Sequence, residues 1–150
     1  MTEDVVMPAL LRHARYTYGA AMRRALAKAG YDDVPRHGLY ILGGLALGER
    51  AVPLAQLINE LRTSKQAAGM LVDTLVSRGY LERAVDRNDR RKMTVALTER
   101  GRGAAAVQAA ARKTIDDKLI AKVGQEDVAR TRRTLAALID LSIVDENNTG

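Results

Sequence analysis

Cysteine is absent from the 150 residues. That excludes disulfides, thiolate metal sites and thiol-based redox sensing. Two histidines, His13 and His37, are too few for a zinc centre of their own. Tryptophan and phenylalanine are also missing, so five tyrosines are the only aromatics. The core must therefore come from Leu, Ile, Val, Ala and Met. No apolar run approaches the roughly 18 residues that a membrane helix needs. The start, Met1-Thr2-Glu3-Asp4, is acidic and leads into no basic-then-apolar stretch. This argues against a secretory signal and predicts a cytoplasmic protein. The glycines at 43–44 and 101–103 fit no phosphate-loop pattern. With no paired histidines either, the sequence predicts no enzyme activity, no cofactor and no metal site.

Positive charge is plentiful. The formal net charge is +6. Residues 60–102 hold ten Lys/Arg against six Asp/Glu, which leaves +4 in under a third of the chain. Clustered positive charge is the electrostatic footprint of a nucleic-acid binder, although a solvated basic surface gives the same count.

The apolar spacing predicts a mainly helical chain. A first helix is expected from about Pro8 to Ala29, ended by Gly30, and a second from Pro35 to Leu47. Pro53 should open a third helix, with Leu54, Leu57, Ile58 and Leu61 inward. After the turn Arg62-Thr63, Ser64 should cap a fourth. The fourth helix is two-faced. Ala68, Leu71, Val72 and Leu75 form its apolar stripe, and Lys65, Gln66, Gly69, Met70 and Asp73 its outer side. Past Gly79 the pattern turns strand-like over Tyr80–Val85 and Lys92–Leu97, with Met93, Val95 and Leu97 expected inward. A charged tip, Asp86 to Arg91, joins the two strands. Thr98 should cap a long alanine-rich helix that Gly124 breaks. A last helix carries Leu135, Leu138, Ile139 and Leu141, and the tail from Asp145 to Gly150 is expected to fray.

The third and fourth helices with their short joint form a helix-turn-helix signature, although an ordinary helix pair can show the same pattern. In such a unit the second helix enters the major groove. Lys65 suits guanine O6/N7 and Gln66 suits adenine N6/N7. Thr63, Ser64 and the open helix start suit a phosphate. Gly69 lets a backbone come close, and Met70 suits a thymine methyl. At the hairpin tip Arg87, Arg90, Arg91 and Lys92 stand against Asp86 and Asp89. A narrow minor groove attracts arginine, and either aspartate could fix an arginine before binding.

These runs resemble the MarR family of bacterial winged helix-turn-helix transcription regulators. The resemblance rests on Pro53-Leu54-Ala55-Gln56-Leu57, Ser64-Lys65-Gln66-Ala67, Leu71 to Arg83, Asp86-Arg87-Asn88-Asp89-Arg90-Arg91 and Leu97-Thr98-Glu99-Arg100-Gly101. It is strong over about residues 52–102. It implies one domain of MarR type over residues 1–150, mainly α with a small β-hairpin wing. The winged lobe would span about 34–100, with dimerisation helices at about 5–30 and 101–144. It further implies a homodimer straddling a pseudo-palindromic operator in double-stranded DNA. Residues 64–78 would be the recognition helix and 80–97 the wing, with Asp89 and Arg91 at the wing's aspartate and arginine positions. Many members carry a polar or basic pair where this chain has Gly69-Met70.

The expected function is a sequence-specific DNA-binding regulator, most simply a repressor. The family resemblance adds release by a small aromatic or phenolic effector, bound between the dimer helices and the DNA lobe. His13, Arg15, Tyr16, His37 and Tyr40 are the candidates for that pocket, although each also suits ordinary packing or surface. The alternative is a sequence-tolerant architectural DNA-binding protein with no effector.

Overall fold

The computed structural model describes residues 2–48 and 51–148. The chain divides into two compact units, Met1–Arg112 and Lys113–Gly150. A short 3-10 turn at Thr2–Asp4 precedes α1 (Met7–Lys28), α2 (Gly38–Leu47), β1 (Val52–Pro53), α3 (Leu54–Glu60) and α4 (Lys65–Ser77). Then come β2 (Leu81–Val85), β3 (Met93–Leu97), α5 (Glu99–Val123) and α6 (Gln125–Asn148). The architecture is a winged helix: mainly α with one small antiparallel sheet in the order β1-β3-β2.

Most expected boundaries lie within a residue or two of those found, and three differ. The second helix starts at Gly38, three residues late. Pro35 O accepts the Gly38 amide at 2.8 Å, so residues 35–37 form a separate turn. A third strand joins the hairpin, with Val52 opposite Val95 and Pro53 opposite Thr94. Proline is tolerated there because β1 is an edge strand. Asp145 to Asn148, expected to fray, continue α6, and residues 149–150 lie outside the described residues.

The core of the first unit gathers one face from each of α1 to α5 and from β2 and β3, with Val52 of β1 packed against it. Leu26 comes from α1, Leu39, Ile41, Leu42 and Leu45 from α2, Leu57 from α3, and Val72 and Leu75 from α4. Leu81, Val95 and Leu97 come from the sheet, and Ala104 and Ala105 from α5. Two alanines of the 101–144 stretch that the resemblance assigns to dimerisation are thus consumed inside the chain. Met93, expected inward, is exposed: it pairs with Val85 beside the tip, beyond the reach of the helices. Among the buried side chains Gln108 is polar. Its Nε2 donates to Leu39 O at 2.7 Å, while its Oε1 has no partner among the described residues.

The base of the wing is fixed at one junction. Gly79 takes φ +83°, which a residue with a Cβ adopts at a cost, and turns the chain from α4 into β2. The Thr98 hydroxyl donates to Gly79 O and accepts the Gly101 amide at 3.0 Å, so it caps α5 onto the turn. A Cβ at residue 101 would collide with the Tyr80 carbonyl, and one at residue 103 with the Tyr31 hydroxyl. The Tyr80 hydroxyl is bonded to Asp33, and Arg100 reaches both Asp33 and the Tyr80 oxygen at 3.0 Å. The Arg100 guanidinium lies 4.6 Å from the Tyr80 ring centre and 5.4 Å from that of Tyr31. Arg78 donates to Asp33 O at 2.6 Å. The α1–α2 connector, the α4–β2 turn and the start of α5 are thereby tied together.

Burial, then the bond to Asp33, pushes the Tyr80 hydroxyl up to about 12 from its ordinary 10.0. The same bond, aided by Arg100, holds the Asp33 carboxyl below its ordinary 3.8. The folded state keeps the Tyr80 proton where an unfolded tyrosine has lost it, so stability falls as pH rises from 10 to 12. The Asp33 contribution is complete above its ordinary value and disappears as pH drops through the lowered one. Tyr80→Phe removes the first titration. Urea unfolding of this variant should show a lower midpoint than wild type at neutral pH and a flatter decline from pH 10 to 12.

Candidate nucleic-acid interface

Ser64 starts α4 as expected: its Oγ accepts the Ala67 amide at 3.1 Å. Arg62, in the preceding turn, holds φ +49° and reverses the chain between α3 and α4. Ala68, Val72 and Leu75 are buried. Thr63, Ser64, Lys65 and Gln66 are exposed, and so is Met70, at 63 %. Gly69 lies half-buried on the flank of the same outward side. Beyond its own neighbours and helix backbone, nothing among the described residues lies within 4 Å of where its Cβ would stand. A glycine inside a helix costs about 1 kcal/mol relative to alanine, and here the fold does not need it.

The wing tip is built by its two aspartates, each with a separate task. Asp86 Oδ1 accepts the amides of Asn88 at 2.7 Å and Asp89 at 3.3 Å, forming an Asx turn. Asp89 Oδ1 accepts the Arg91 amide at 3.0 Å and the Arg91 Nε at 3.4 Å. Of the two aspartates, Asp89 therefore orients an arginine, while Asp86 shapes the backbone. The Arg91 side chain is 93 % exposed, so its guanidinium is aimed outward by a half-buried carboxylate. Arg87, Arg90 and Lys92 stand exposed around it.

Helix and wing are also braced against each other. Arg83 on β2 forms an ion pair with Asp73 on α4. Arg83 lies opposite the fully buried Val95, so it faces the helices, and Asp73 shares the outward side of α4 with Gln66 and Met70. Sequence reasoning missed this pair. Strand alternation does place Arg83 on the same face as Val95, but nothing local names Asp73 as its partner.

Of the five pocket candidates, the structure brings two together. The Arg15 guanidinium lies over the Tyr40 ring at 4.4 Å. Tyr16 instead sits beneath Arg23 at 5.8 Å. His13 and His37 are exposed, and His37 precedes α2 without a side-chain cap bond. A cavity of about 760 Å³ lies elsewhere in the first unit. It is half open, and the end of α2, the β2–β3 pair and α5 line it, with Glu82, Arg102 and Arg112 among apolar and small residues.

Residues 32–92, most of the winged lobe, match the MarR family. Almost the whole chain aligns with the uncharacterized HTH-type transcriptional regulator YwhA of Bacillus subtilis. The two are 26 % identical over 142 residues, covering 93 % of this chain and 96 % of YwhA. Over that lobe the chain is similar to the MarR family, and its fold is a winged helix. Two solved MarR-like folds extend the comparison. Streptococcus pneumoniae FabT, in complex with DNA, superimposes with a TM-score of 0.75 at 19 % identity, over 90 % of this chain and 94 % of that one. S. aureus MepR, also in a DNA complex, gives 0.74 at 15 % identity, over 91 % and 98 %. At these identities the likeness is one of fold.

Proposed function

We propose that this protein belongs to the MarR family and is a dimeric, sequence-specific regulator of transcription that binds double-stranded DNA and acts as a repressor. The observation that carries the reading is the coupled surface of α4 and wing. An exposed Lys65–Gln66 face, offered by a capped helix, is braced through Asp73–Arg83 to a tip whose Arg91 is already aimed. A helix of this kind fits a major groove, and an oriented arginine fits the narrow minor groove beside it. That FabT and MepR share the fold in DNA complexes supports the same use. Repression would follow from occupying a promoter.

Release by a small aromatic or phenolic effector is the second part of the reading. The half-open cavity against α2 and α5 has a volume in the range of small-molecule sites, about 300–1,000 Å³, but it is lined by none of His13, Arg15, Tyr16, His37 and Tyr40. An effector that prefers a dimer geometry unsuited to the groove spacing would shift the population off DNA. The deciding experiment is selection of bound duplexes from a random pool, with and without a panel of phenols, followed by footprinting. A regulator yields a discrete palindrome. Protection without sequence preference means an architectural protein instead.

Salt dependence tests the electrostatics. A dimer that neutralises six or more phosphates should lose about 10³-fold in affinity between 50 and 200 mM salt. A flat response, by fluorescence anisotropy, shows that the basic lobe is not the binding surface.

Dimer contact should lie on the second unit, where Leu119, Val123, Leu138, Ile139 and Leu141 are exposed large apolar groups. Leu138→Asp should yield monomers or insoluble protein by light scattering. A soluble monomer that still binds the selected duplex at wild-type strength contradicts the assignment.

The wing residues separate two roles. Arg91→Ala should weaken binding and erase any preference for A·T-rich flanks. Asp89→Ala should do so in part, because it frees Arg91. Removing a negative charge near phosphate acts the other way. If Asp89→Ala tightens binding to every duplex, the aspartate is only an electrostatic brake and the preset wing is wrong.

A further inference from the structure

We infer that Gly69 is the seating residue of α4: its missing side chain lets one flank of the helix lie against the sugar–phosphate wall of the major groove. The inference rests on the DNA-binding reading above and deepens it.

Most of the other described glycines have tasks inside the protein. Gly30, Gly79 and Gly124 have positive φ. Gly101 makes room for the Tyr80 carbonyl and Gly103 for the Tyr31 hydroxyl. A Cβ at Gly38 would press on Leu75 and Pro35 at 3.1–3.3 Å, and one at Gly43 on Gln108 at 3.3 Å. At Gly19 it would meet the movable end of Arg23, and Gly48 closes α2. Two helical glycines remain with nothing within 4 Å of the Cβ position, Gly44 on α2 and Gly69 on α4. Among the described residues no packing accounts for either. Gly69 alone lies on the helix that carries Lys65 and Gln66.

Geometry supplies the external demand. A helix with its side chains is about 10–12 Å across, and the major groove is about 12 Å wide. A helix seated in that groove therefore touches both walls with its flanks. Successive α-helical residues turn about 100°. Gly69 thus falls to one side of the face formed by Gln66, Met70 and Asp73, toward the flank and off the groove floor. Lys65 stands further out on the same flank, but its long side chain can swing aside, whereas a methyl group fixed at 69 would add bulk between Lys65 and Gln66 and hold the helix axis back from the base edges. Loose, non-specific binding does not need this depth, because it is carried by phosphate contacts. Gly69 therefore contributes to discrimination between matched and unmatched duplexes.

The test uses Gly69→Ala and Gly44→Ala in the full chain, with the selected duplex and a scrambled duplex as probes. Both variants should raise Tm, by about 2–6 °C, since alanine favours the helix at each open site. Gly69→Ala should lose about tenfold or more in affinity for the selected duplex while binding the scrambled one as wild type does. Gly44→Ala should bind both as wild type does. Higher stability with weaker specific binding is a combination that a purely structural glycine cannot give. Unchanged affinity for the selected duplex overturns the inference. So does a lowered Tm for Gly69→Ala, equal weakening on both duplexes, or the same loss in Gly44→Ala. Failure of the underlying reading looks different, because wild type would then select no duplex at all.

Discussion

Helix α5 begins against the backbone of Tyr80, and the rest of the first unit is arranged around that contact. Thr98 joins the Gly79 carbonyl to the Gly101 amide, and the absent Cβ of Gly101 lets the helix approach. Arg100, one residue before Gly101, then reaches Asp33 and Tyr80. Four short-range demands meet within a few residues: a left-handed turn, a cap, a close approach and a buried hydroxyl needing an acceptor. Each limits the residue type at its position. Together they fix where β2 leaves α4, and so where the wing stands.

Much of this was legible before any coordinates, because the signals were local. Ser64 as a cap, the two-faced α4, the alternation of Val95 and Leu97, and the breaks at Gly30 and Gly124 all rest on neighbours a few residues apart. What was missed depends on distant partners. β1 is two residues long and contains Pro53, so it carries no alternation to read. Met93 follows the inward pattern but lies past the end of the core. Gly103 looks like a flaw in a helix until Tyr31 is set beside it. Within the candidate site, the exposed faces of α4 and tip were readable from spacing and charge. The Asp73–Arg83 pair was not, because it joins a helix to a strand across a turn. The division of labour between Asp86 and Asp89 also needed atomic positions, since both sit in the same short run.

Net charge gives a poor picture of the lobe, and pairing gives a better one. Arg83 and Arg100 are both held by carboxylates, and Arg102 donates to Leu97 O at 3.0 Å. These cations serve the fold. Arg91 differs: its carboxylate partner leaves the guanidinium almost wholly in solvent. Counting arginines between residues 60 and 102 therefore overstates the charge free to meet a ligand. The useful positive charge is concentrated at the tip and at the start of α4.

The ion pair between Asp73 and Arg83 has a consequence for how such a surface can change over generations. It is a surface tie of modest strength between helix and hairpin, added to the core they share. Substitutions on the two elements should then combine non-additively, as they do among residues sharing one network. If α4 and tip are used together as proposed, a substitution that alters one would be best accommodated by a second on the other, so changes at this surface would come in pairs.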